Sequence, residues 1–114
     1  MHEYFIDKEL YLIYDYIPGL QLRIFHFNIY ASPWYIDYLI KVLLDVSSAL
    51  RYIHSKGILH LDIKPDNILV TYPQNDITTN KANSNLITGY LIDYGLSCLK
   101  LSEDKYNRYM CINR

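Results

Sequence analysis

The stretch His60-Leu61-Asp62-Ile63-Lys64-Pro65-Asp66-Asn67, with Ile92-Asp93-Tyr94-Gly95 further on, decides how this chain is read. It sets an acid, a lysine, an amide and a second acid in a fixed order. Asp62 and Asn67 stand five positions apart, with Lys64 between them and Asp93 downstream. Phosphoryl transfer from a magnesium nucleotide calls for such a set. One carboxylate orients a hydroxyl, a cation faces the transferring phosphate, and an amide and a carboxylate hold Mg²⁺.

Outward from this stretch, hydrophobic periodicity places the neighbouring elements. Leu10 to Ile17 is apolar, β-branched and aromatic, and predicts a buried strand ending at Pro18-Gly19. Leu20 to Asn28 suits a short helix. Ser32-Pro33 is a helix start, with serine as cap and proline at the first helical position. From Pro33 to Lys56, the residues Tyr35, Leu39, Val42, Leu43, Val46, Leu50 and Ile53 make an apolar stripe at helical spacing. Asp37, Lys41, Asp45, Ser48 and Arg51 hold the opposite face. Gly57 stands where a left-handed C-terminal cap is wanted. Ile68 to Val70 and Tyr90 to Ile92 predict short strands. The polar run from Tyr72 to Thr88 predicts a surface loop, and Ser102 to Arg114 predicts weak order.

Composition bounds the function. The chain has 114 residues, 51% of them hydrophobic, and a net charge of -1. These values fit one small globular domain, and the absence of a basic block argues against nucleic acid or an anionic membrane as partner. Met1 to Lys8 is no signal peptide, and charges interrupt every apolar run before it reaches membrane-spanning length. Cys98 and Cys111 make neither a disulfide framework nor a metal-ligand spacing, so a reducing, intracellular and specifically cytoplasmic setting is expected. Cys98 has no adjacent base and reads as inert. His2, His26 and His54 form no ligand cluster.

With those residues in view, the chain resembles the eukaryotic-type protein kinases, of the Ser/Thr kind, from about Leu10 to Ser97. The resemblance implies an α+β fold: a partial kinase-like C-lobe over residues 1–114. Residues 10–19 would be the last N-lobe strand and hinge, 20–97 the start of the C-lobe, and 98–114 the start of the activation segment. It implies that Asp62 is the catalytic base, that Lys64 stabilises charge on the transferring phosphoryl group, and that Asn67 and Asp93 bind Mg²⁺. Tyr14 would be the gatekeeper. The backbones of Asp15 and Ile17 would bond the adenine of ATP, with Leu69 as the floor beneath it. His60 would be structural, Asp66 a surface or turn residue, and Gly95 would give backbone freedom beside Asp93.

Lysine and proline after Asp62 favour Ser/Thr protein kinases over tyrosine kinases and small-molecule phosphotransferases. Two positions depart from the family pattern. Leu61 replaces the usual arginine, so activity is expected to be independent of phosphate sensing by that residue. Tyr94 replaces a phenylalanine of nearly the same shape. No Gly-x-Gly-x-x-Gly loop and no Val-Ala-x-Lys strand precede Leu10, and no Ala-Pro-Glu follows Gly95. The expected partners are therefore a protein hydroxyl substrate and another chain that supplies the missing lobe. A catalytically inactive, partner-binding fragment is the alternative.

Overall fold

A computed structural model describes residues 2–6, 9–13, 15–72, 86–101 and 108–111, and for the first two runs the backbone alone. Strands β1 (His2–Ile6) and β2 (Glu9–Ile13) form an antiparallel hairpin. The register pairs His2 with Ile13. The end of β2 at Ile13 corrects the strand expected through Ile17. Asp15 is exposed, Tyr16 is 89% exposed, and Ile17 is half-buried. Tyr14 lies outside the described residues.

Two three-stranded antiparallel sheets organise the rest. The first runs β3 (Leu20–Gln21), β5 (Ile68–Thr71), β6 (Thr88–Leu91), and the second β4 (Ile58–Leu59), β7 (Cys98–Lys100), β8 (Tyr109–Cys111). Helices α1 (Leu22–Ile29) and α2 (Tyr35–Ser55) account for the helical part. The expected α+β class holds.

The core lies where α1 and α2 meet the first sheet. Phe25 and Ile29 come from α1, and Tyr38, Val42, Val46 and Ile53 from α2. Ile68, Val70, Ile87 and Leu91 come from the strands and the approach to β6. Tyr38 was not in the predicted stripe, yet it is fully buried; Leu43 was in it, yet it is exposed. The buried stripe is rotated because α2 packs on β6 by one side only. Gly89 permits that approach: a Cβ there would stand 3.1 Å from both Val42 Cγ1 and the Val42 carbonyl oxygen.

Lys41 and Asp45 do not face solvent as expected. Lys41 Nζ donates to Asp45 Oδ2 (2.6 Å) and to the Ile87 carbonyl (2.8 Å), and the Gly89 N–H donates to the same Asp45 oxygen (2.9 Å). The helix start also shifts. Trp34, not Ser32, is the N-cap, and Ser32 Oγ accepts from the Trp34 N–H (3.2 Å) in a local turn before the helix. Gly57 takes the left-handed conformation foreseen for it, φ 75°.

The last described residues bring a second correction. Cys98 and Cys111 are joined by a disulfide across directly opposed positions of β7 and β8. Weak order was expected after Ser102, but Tyr109–Cys111 form a strand. Spacing alone could not reveal the bond, because it depends on a pairing register between two very short strands. Of the loop expected from Tyr72 to Thr88, residues 73–85 lie outside the described residues, as do 102–107 and 112–114, while Thr88 opens β6.

Candidate active site

Strand β4 and α2 deliver the chain into a loop that reverses at Leu61, whose φ of 66° is left-handed. A one-turn 3₁₀ helix, Pro65–Asn67, then leads into β5. Proline at its first position matches the preset φ and lacks an N–H that a helix start leaves unpaired. The loop thus leaves one sheet and enters the other, and its polar residues gather at the crossing.

Asn67 is buried and holds Asp62 twice. Its Nδ2 donates to the Asp62 carbonyl (2.8 Å) and to Asp62 Oδ2 (3.0 Å). Lys64 Nζ lies 3.7 Å from Asp62 Oδ1 and is half exposed, able to turn toward a second anion. The Asp62 backbone N–H donates to His60 Nδ1 (3.1 Å), and His60 Nε2 is bonded to the Ile92 carbonyl (2.7 Å). These two contacts set His60 as the neutral tautomer that carries its proton on Nε2. His60 is almost fully buried and stacks edge-on against Tyr94, ring centroids 5.0 Å apart. Its place is structural, as expected.

The Asp93 loop is tied to the same frame. The Ile92 N–H donates to the Asn67 carbonyl (2.9 Å), and the next residue is Asp93, with φ 58°. Aspartate tolerates that region better than most residues. Asp93 Oδ1 accepts from the Gly95 N–H (3.2 Å), and its side chain faces solvent. So Asn67 bonds Asp62 directly, Lys64 stands 3.7 Å from Asp62, and Asp93 follows the residue whose N–H is bonded to Asn67.

The expected adenine contacts are less tightly drawn together. The Ile17 carbonyl already accepts from the Gly19 N–H (2.9 Å). Leu69 is half-buried in β5, paired with Gln21 and Tyr90. A concavity of about 390 Å³ beside this turn is lined by Pro18, Gly19, Leu20 and Tyr72, not by Asp15, Ile17 or Leu69. Gly19 allows the close approach there, since a Cβ would meet the Val70 carbonyl oxygen at 2.7 Å.

Sequence reasoning missed one partner at the site. Asp66 is not a bare turn residue: Arg23 of α1 donates from Nε to its Oδ1 at 2.8 Å. Both side chains are about half exposed, so this pair steers geometry more than it stabilises. No spacing rule links residues 23 and 66; only the packing of α1 on the loop does.

Mg²⁺ asks for few protein oxygens, since waters and phosphates complete its shell. With Nδ2 engaged by Asp62, Asn67 would offer Oδ1 to a metal ion, and Asp93 would add a solvent-facing carboxylate. That donor set fits Mg²⁺. Among the described residues, no cluster of three or more His, Cys, Asp or Glu side chains makes an all-protein metal site.

Comparison with known proteins identifies the family. The protein kinase domain family matches residues 1–113. Serine/threonine-protein kinase D of Synechocystis is 38% identical over 71 residues, 61% of this chain and 13% of that protein. The probable LRR receptor-like serine/threonine-protein kinase RPK1 of Arabidopsis thaliana is 38% identical over 98 residues, 82% of this chain and 15% of that protein. Serine/threonine-protein kinase ppk34 of Schizosaccharomyces pombe is 35% identical over 88 residues, 77% of this chain and 21% of that protein. The chain belongs to the protein kinase domain family. It spans about a fifth or less of the length of these relatives.

Proposed function

We propose that this chain carries the catalytic loop and metal loop of a serine/threonine protein kinase that acts on protein hydroxyls. The observation that supports this best is the double hold of Asn67 on Asp62, with Lys64 alongside. Asp62 Oδ2 is fixed by the amide, which leaves Oδ1 to accept a substrate hydroxyl proton. Lys64 lies close enough to Asp62 to meet the phosphoryl group transferred beside it. Asn67 and Asp93 would hold Mg²⁺, and the backbones of Asp15 and Ile17 would meet the adenine. Bound MgATP supplies the phosphoryl group and neutralises its charge. A glycine loop and a phosphate-facing lysine come from another chain or segment.

A binding module without catalysis is the second reading. An apolar stripe on the outer face of α2, with Ile36, Ile40, Leu43 and Leu44 exposed, favours it as a surface for a partner chain.

Phosphate transfer from labelled ATP to a general protein substrate, with and without Mg²⁺, separates the two. The expected outcome is Mg²⁺-dependent transfer that falls by at least about 100-fold in Asp62→Asn, the scale of losing a positioned base. Transfer equal in both proteins would remove Asp62 from the role of catalytic base. No transfer by either, with nucleotide still bound, would favour the binding module.

A further inference from the structure

The disulfide sits next to the catalytic loop. Cys98 pairs with Cys111 on one edge of β7 and with Leu59 on the other, and His60 follows Leu59 directly. Ser97, the neighbour of Cys98, donates its hydroxyl to the His60 carbonyl (3.3 Å). His60 in turn accepts the Asp62 N–H. A short chain of contacts therefore runs from the sulfur pair to Asp62. The β8 ladder is three residues long, extended by a bond from the Leu101 N–H to the Arg108 carbonyl (3.1 Å), and Tyr109 and Met110 are exposed.

We propose that Cys98–Cys111 is a redox modification site, exchanged by low-molecular-weight thiols and disulfides of the glutathione class, that sets the order of the segment from Ile58 to Asp62. Exchange of this kind needs a reachable sulfur and a small thiol, and it rests on none of the transfer chemistry. Access fixes the direction of attack. Cys98 is 3% exposed, whereas Cys111 is half-buried. A small thiolate attacks Cys111 Sγ; a mixed disulfide forms there, and the electron pair of the broken S–S bond leaves on Cys98 Sγ, which takes a proton from water. A second small thiolate then attacks the small-molecule sulfur of the mixed disulfide and releases Cys111. In sum, one protein disulfide and two small thiols give two protein thiols and one small disulfide, a two-electron change. The Leu96 carbonyl lies 3.9 Å from the Cys98 sulfur, an acceptor in place for the new S–H. Reduction frees β8, removes the outer support of β7, and loosens the β4 edge that leads into Asp62.

The test needs neither nucleotide nor activity, so a failed transfer assay does not bear on it. The whole chain is equilibrated in oxidised or reduced glutathione, its thiols are alkylated and weighed, and amide exchange is followed by mass spectrometry. In reduced buffer, two alkylations and at least about tenfold faster exchange across residues 58–62 and 96–100 are expected, as for release of a locally opening unit. Cys98→Ser trapped with oxidised glutathione should carry the adduct on Cys111, while Cys111→Ser leaves Cys98 unmodified. Unchanged exchange at 58–62 on reduction, a bond that resists reduction without denaturant, or an adduct on Cys98 would each overturn the proposal. If either serine variant fails to fold by circular dichroism, the comparison of the native chain in the two buffers decides alone.

Discussion

At the scale of a residue, Leu61 is the point of highest backbone cost in the described chain. A leucine at φ 66° brings its Cβ against the following carbonyl, at about 1–2 kcal/mol. Its side chain is half exposed and gains little burial in return. The loop holds it there because the contacts on either side, His60 to Ile92 and Asn67 to Asp62, fix the reversal. Leu61→Asn should therefore raise stability by about 0.5–1 kcal/mol, since asparagine enters this region readily. Urea unfolding reads the change, and a loss of stability would mean that the leucine side chain makes compensating contacts. Asp93, also left-handed, has no such cost to relieve, because aspartate is suited to the region and its carboxylate accepts from Gly95.

At the scale of an element, α2 is fastened to β6 by polar groups as well as by packing. Asp45 serves both Lys41 and the Gly89 N–H, while Lys41 reaches the Ile87 carbonyl. The two side chains are about three-quarters buried, so the bonds are sheltered from water. Asp45→Ala leaves the Gly89 N–H and the lysine without their shared acceptor and should cost about 1.5–3 kcal/mol in urea or thermal unfolding. Asp37→Ala, on the exposed face of the same helix, serves as the control and should change stability by less than about 0.5 kcal/mol. Equal effects of the two substitutions would reduce the Asp45 network to a surface ion pair.

At the scale of the whole molecule, one side of α2 builds the core and the other carries Ile36, Ile40, Leu43 and Leu44 into solvent. These positions are spaced four, three and one apart and so form a continuous stripe. An apolar stripe of this kind drives association or aggregation unless a partner covers it. The paired substitution Ile40→Lys with Leu44→Glu should lower the weight-average mass in sedimentation at micromolar concentration. Stability should stay within about 0.5 kcal/mol, because exposed positions contribute little to folding. Loss of folding in that variant would instead show the stripe to be packed within the chain.

Local chemistry determined much of this protein. The residue types from His60 to Asn67 and in the Asp93-Tyr94-Gly95 turn mark the candidate site; the first loop gathers its own residues over a short span, whereas Asp93 reaches it only through the pairing of β5 with β6 and the bond from Ile92 to Asn67. Apolar periodicity placed α1 and α2, and Gly57 marked the end of the long helix, since such signals act over one or two turns. What lay beyond reach was decided by contacts distant in sequence. The rotation of the buried stripe toward Tyr38, the turning inward of Lys41 and Asp45, the pairing of Arg23 with Asp66, and the end of β2 at Ile13 all depend on which surface packs against which. The Cys98–Cys111 bond is the clearest case. Two cysteines thirteen positions apart carry no local signal for pairing, and only the register of β7 against β8 sets them opposite each other. Sequence determined the chemistry of the loop because that chemistry is local. Tertiary structure decided what holds the loop in place, because register and packing are properties of surfaces that meet only once the chain has folded.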